Sequence, residues 1–139
     1  MMKSPEQVLM RQLTQHPATA MRLGLRVFPV VAPVSAGLPF VVYQRAQIER
    51  SQTLATPLGL PRVSVQFDLY AATYEEGRQL ADTMRETLDG WTGSAYGVVI
   101  SQTSLENERD GFVQLDGSEL PPVYQITQTY DVWWQENNL

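Results

Sequence analysis

The sequence predicts an α+β fold: a single mostly antiparallel β-sheet covered by two helices, in the order α-β-β-β-α-β-β. Three observations carry this expectation. Residues 62–91, RVSVQFDLYAATYEEGRQLADTMRETLDGW, pass from apolar–polar alternation to a repeat of three and four. Those are the periods of a half-buried strand and of an amphipathic helix. Two further segments, PFVVYQRAQIER and VYQITQTYDVWW, alternate like the first. With more strands than helices, one sheet with helices packed on it is the economical layer arrangement.

Taken in order, SPEQVLMRQLTQ opens a helix, with Ser4 as a cap, Pro5 at the first helical position and Gln7 where a capping box places it. Val8, Leu9 and Leu13 form its apolar face, and His16-Pro17 ends it, because a residue before proline avoids the helical region. Residues 23–38 are dense in proline and glycine and hold one short strand around 26–30. In the next strand Phe40, Val42, Ala46 and Ile48 are assigned to one face, and Tyr43, Arg45, Gln47 and Glu49 to the other. Residues 51–61 read as a loop. In the following strand Val63, Val65, Phe67 and Leu69 alternate against Arg62, Ser64, Gln66 and Asp68. Thr73 and Glu76 make a capping-box pair for the second helix. Its buried face is Tyr74, Gly77, Ala81, Met84, Leu88 and Trp91. Arg78–Asp82 and Arg85–Asp89 are charge pairs four apart, and Gly90 is a left-handed cap. Residues 96–117 read as a strand, an acidic turn region and a short strand, with turn signals at Asp110-Gly111 and Asp116-Gly117. The closing strand places Tyr124, Ile126, Tyr130, Val132 and Trp134 opposite Gln125, Thr127, Thr129 and Asp131.

At 139 residues the chain suits one domain, 1–139, able to bury roughly two thirds of its unfolded surface. It has no cysteine, which excludes disulfides and thiolate metal sites and suits an intracellular or virion setting. Ten basic against 15 acidic residues give a net charge of −5 without a basic stripe, which argues against nucleic acid as the main partner. The longest mostly apolar run, residues 27–43, is broken by three prolines and a glycine and cannot be a membrane helix. The first residues, MMKSPEQVLMRQL, do not have the pattern of a signal peptide. A soluble, cytoplasmic-type chain is expected.

Catalytic chemistry finds little footing. The single histidine, His16, sits at a helix end without an orienting carboxylate or nucleophile in its local sequence, and reads as a cation at a helix C-terminus. ENERDG, residues 106–111, places Glu106, Glu108 and Asp110 at alternating positions as a calcium loop would, but twelve residues on from Glu106 stands Gly117, not a glutamate. No dinucleotide fingerprint, P-loop, nucleophile elbow or zinc-protease motif occurs. A non-enzyme without cofactor or metal is expected.

LPFVVYQRAQIERSQTL, FDLYAATYEEGRQLAD with the following LDGW, LENERDGF and the closing aromatic strand with Trp133-Trp134 together resemble the tail-completion proteins of long-tailed phages and prophages. These are also called tail-terminator or head–tail joining proteins. The likeness spans about residues 23–134 and lies in the order and spacing of these segments; VQLDGSELPPV matches nothing in particular. It implies a virion protein, assembled in the host cytoplasm, that forms a ring, usually hexameric, on the head-proximal end of the tail tube. There the ring stops tube polymerisation and offers a surface to a head-completion or connector protein, with DNA passing through its channel unbound. The family has no catalytic residues to carry over. Ring contacts between copies of one chain join unlike patches, which edges and loops supply. Leu54, Leu58 and Leu60 of the 51–61 loop either meet a neighbour or the lumen, or fold back over their own sheet. Glu106, Glu108, Arg109 and Asp110 of segment 106–120 are polar interface candidates, or a solvated loop. Two alternatives stand beside this reading: another neck or tube component of the same assembly, or a small-molecule-binding regulatory module with a concave pocket.

Overall fold

Alternation along the chain becomes a six-stranded sheet with helices packed on one face. A computed structural model describes residues 4–33, 36–49, 61–113 and 123–136. Helices α1 (Pro5–Gln15) and α2 (Pro17–Leu23) lead into strands β1 (Val27–Pro29), β2 (Phe40–Glu49) and β3 (Arg62–Ala71). Helix α3 (Tyr74–Leu88) follows, then β4 (Gly93–Ala95), β5 (Val98–Val113) and β6 (Val123–Glu136). The sheet order is β1-β2-β3-β6-β5-β4. β1 runs parallel to β2 and the other pairings are antiparallel, so the sheet is mixed but mostly antiparallel.

The β3–β6 pair is the centre. Val63, Val65, Phe67 and Leu69 of β3, and Ile126, Tyr130, Val132 and Trp134 of β6, are buried beneath the helices. α1 adds Val8, Leu9 and Leu13, and α3 adds Leu80, Ala81, Met84 and Leu88. The Phe67 ring lies 5.7 Å from that of Tyr130 at 83°, an edge-to-face pair. Gly77 lets α3 come close: a Cβ there would stand 3.2 Å from Ile126 Cδ1 and 3.5 Å from Ala71 Cβ.

The face assignments for β3 and β6 hold, and α3 begins on the expected cap, Thr73 Oγ1 accepting from the Glu76 N–H. Gly90 follows α3 with φ 78°, as a left-handed cap requires. Other expectations are corrected. Ser4 does not cap α1 with its side chain; its hydroxyl instead accepts from Arg45 at 3.4 Å. His16 ends α1 but at once starts α2, its Nδ1 accepting from the Ala18 N–H. Proline at the first position of α2 is therefore a start signal as well as a stop. The β2 grouping holds only as far as Arg45, with Val41 and Tyr43 in the core and Phe40 on the other face, stacked on Tyr70 at 4.9 Å. A register shift between Arg45 and Gln47 breaks the simple alternation, as a bulge does. In α3, Tyr74 is exposed and Leu80 takes a core position. Arg85 and Asp89 form no ion pair; Asp89 accepts from the Leu105 N–H instead.

The core contains one polar knot. Gln128, almost fully buried, donates to Ala81 O at 2.9 Å and to Glu108 Oε2 at 2.6 Å, and accepts from the Tyr130 hydroxyl at 2.8 Å. Replacing Gln128 by Leu leaves the Tyr130 hydroxyl without its acceptor and should cost about 2–3 kcal/mol, measured by urea unfolding. Burial raises the Tyr130 phenol far above its ordinary 10.0. The neutral phenol thus favours the fold fully below pH 10, and this contribution is lost as pH rises toward the folded value. Urea melts of wild type at pH 8 and pH 11 should show a loss at alkaline pH that Tyr130→Phe reduces.

Candidate interaction surface

The acidic segment read as a turn lies inside the 16-residue strand β5. Asp110-Gly111 is likewise within the strand, with Gly111 opposite Gln125. Residues 114–122 lie outside the described residues, and with them Asp116-Gly117 and the rest of segment 106–120; so do Leu54, Leu58 and Leu60. A register shift between Leu105 and Asn107 places Glu106 at a bulge and resets the side-chain faces. Beyond it Glu108 and Asp110 share the helix-covered side with Gln128 and Ile126, and alternation puts Arg109 on the opposite side. The structure thus brings Glu108 and Asp110 together and separates Arg109 from them.

Arg78 of α3 organises the acidic pair. Its Nη1 lies 2.8 Å from Glu108 Oε1 and 3.3 Å from Asp110 Oδ1, and its Nη2 lies 3.1 Å from Asp82 Oδ1. The hydrogen bond to Glu108 is the main reason the guanidinium is held above its ordinary value. Tyr74 donates to Asp110 Oδ2 at 2.7 Å, and this bond raises its phenol. One cation thus serves three carboxylates and ties α3 to β5. Sequence spacing disclosed only the Arg78–Asp82 part of this cluster, because the other acids lie 30 and 32 residues away.

Among the described residues the outer edge of β5 is largely open. β4 pairs only with Val98, Val99 and Ile100. Farther along, the Gly90 N–H reaches Thr103 O and Asp89 takes the Leu105 N–H. From Glu106 to Val113 no further strand covers the edge among the described residues. Phe112, Val113, Tyr74 and Tyr124 are exposed around this end.

Across the other face, Asp68 accepts from Thr127 at 2.7 Å and from Gln66, while Asp131 accepts from Ser64 at 2.7 Å and pairs with Arg62. Apart from the Gln66 bond, which stays within β3, these are ties between β3 and β6. A cavity of about 350 Å³ opens beside the start of α1 and the end of β1, lined by Ser4, Glu6, Gln7, Val30, Tyr43 and Arg45 among others. Its two charged groups are joined to each other, Arg45 Nε to Glu6 Oε1 at 2.8 Å. No group of three or more His, Cys, Asp or Glu fit to hold a metal occurs among the described residues, and no helix among them is long and apolar enough to cross a membrane.

Comparison with known proteins decides the family. The sequence matches the family described as Tail completion protein gp17 over residues 7–135. The chain belongs to this tail-completion family. Among solved structures it is similar to a chain from the "Virion of native gene transfer agent (GTA) particle", with a TM-score of 0.63 at 12% identity. That superposition covers 91% of this chain and 90% of the other, and at this identity it speaks for a shared fold. No curated protein matches the sequence. As a member of the tail-completion family the chain is a structural component of a phage tail, and the structural character of the family points away from catalysis.

The charge cluster yields a direct test. Arg78→Met leaves Glu108, Asp110 and Asp82 without their shared cation and should lower stability by about 1 kcal/mol at low salt. In 1 M salt, where screening acts over roughly 3 Å, the difference from wild type should shrink. Urea unfolding at the two salt concentrations measures both values.

Proposed function

We propose that this tail-completion protein forms a ring, of about six copies, on the head-proximal end of the tail tube. The ring stops tube polymerisation and offers its other side to a head-completion or connector protein, while DNA passes through its channel without specific binding. It assembles in the host cytoplasm before taking its place in the virion. The observation that carries the reading is the family match over residues 7–135. The molecule suits such a role, because its knotted core specifies a rigid body and its open β5 edge leaves backbone and side chains available to a neighbour. In this reading Leu54, Leu58 and Leu60 contact an adjoining copy or the lumen, and Glu106, Glu108, Arg109 and Asp110 lie at or beside a subunit contact.

Light scattering across a concentration series, with negative-stain images of the same samples and of samples mixed with tail tubes, tests the ring. Closed rings, free or seated on tube ends, are expected, and added protein should cap tube growth. A protein that stays monomeric alone and with tubes would refute the proposal. Leu58→Ala and Arg109→Glu should each reduce tail-assembly yield several-fold while circular dichroism stays unchanged; normal assembly by both would remove these positions from the interface.

A further inference from the structure

Charge is segregated along this chain in a way the fold turns into geometry. Residues 7–48 contain Arg11, Arg22, Arg26 and Arg45 and not one aspartate or glutamate. Residues 74–113 contain eight carboxylates against three arginines. Arg11 of the first segment lies over the Tyr96 ring in the β4–β5 turn at 5.8 Å and Arg45 is paired with Glu6, so Arg22 and Arg26 are its cations on the far side. The β1–β2 pair and β5 stand at opposite sides of the sheet. They also lie at the same level along the strands. One row of paired residues runs Val27–Val41–Leu69–Ile126–Asp110, and a neighbouring row runs Pro29–Tyr43–Phe67–Gln128–Glu108. Four inter-strand steps separate the two sides, roughly 19 Å.

Each side carries exposed apolar residues beside its charge. Along α2 and β1, Met21 is 87% exposed, Leu25 82% and Val31 73%, next to Arg22 and Arg26. Arg26 is held by Pro39 O and Arg22 O, whereas the exposed Arg22 side chain makes no ion pair among the described residues. Along β5, Phe112 is 65% exposed and Val113 42%. Among the described residues Glu106 accepts from Ser104 alone, and Arg78 is shared among three acids, so this side carries an excess of carboxylates. Apolar residues ringed by opposite charge on two separate patches are what a head-to-tail contact requires, since the patches must be unlike and complementary.

We propose that the α2–β1 side of one copy packs against the β5 edge of the next, with Met21 and Leu25 against Phe112 and Val113, and Arg22 facing Glu106. This contact rests on the ring reading and names its interface. It is made by side chains rather than by a shared ladder, because β1 is three residues long and ends in Pro29, which has no N–H to donate. Because the two patches differ, each copy uses both once, and repetition produces a closed ring or an open helix, not a two-fold dimer.

Two blocked variants test this. Met21→Asp spoils one patch and Phe112→Asp the other, both at exposed positions where circular dichroism should remain native. Each variant alone should weaken self-association by roughly tenfold or more. Mixed, they should form a one-to-one dimer that grows no further, since each supplies the patch the other lacks. Arg22→Glu and Glu106→Arg should each weaken the ring, and the two together in one chain should restore it. If wild type forms rings and the blocked variants do too, the interface is misplaced although the ring stands. If the variants keep their rings but no longer cap tubes, the patches face a different protein and the self-contact is overturned. A wild type that is monomeric alone and with tubes removes the ring and this contact together.

Discussion

Burial of one side of the β3–β6 pair is the constraint on which the other elements depend. The two strands are paired along their length, from Arg62↔Trp133 to Ala71↔Tyr124. Because side chains alternate, a one-residue slip would expose Phe67, Tyr130 and their neighbours together. The helices cover that side because it is the large apolar surface available, and Gly77 sets how closely α3 can approach. Gln128 then fixes the arrangement in detail. A buried amide with three partners on two other elements and its own strand tolerates few alternative packings, since any shift leaves a polar group unpaired.

The same knot links the core to the acidic edge. Glu108 accepts from buried Gln128 with one carboxylate oxygen and from Arg78 with the other. The edge strand β5 is thereby held from its helix side, while among the described residues no strand covers its outer rim beyond Leu105. For a structural virion protein this division has a mechanical sense. A body that does not deform can transmit the geometry of one contact to the next, and a ring closes only if each subunit repeats the same angle.

Electrostatics of such a surface act at two ranges. Within the molecule, a partly exposed arginine among three carboxylates orders α3 against β5 with modest energy. Between molecules, in the proposed contact, Arg22 and Arg26 on the α2–β1 side and the acidic residues of β5 give each copy a direction, which biases encounter and register more than it adds affinity. The overall charge of −5 conceals this polarity, because a net value carries no position.

Much of the body was legible in the sequence, since alternation and helical spacing are local consequences of which residues need burial. β3, α3 and β6 were determined this way, with the buried face of β3, most of those of α3 and β6, the Thr73 cap and the Gly90 terminus. The family likeness rested on the same segments. What the tertiary structure alone decided was everything that depends on partners distant along the chain. The bulge in β2 interrupted an alternation that periodicity had carried through Glu49, and pairing with β6 drew the acidic 106–111 segment into a strand despite its turn-like residues. Pro17 opened a helix where it was expected only to close one. The candidate site divides likewise: its acidic residues were visible in order, but Arg78 and Gln128 were joined to them only by the fold. Local sequence determines which face of an element seeks burial; which elements meet, and which charges are left facing outward, is settled by packing across the sheet.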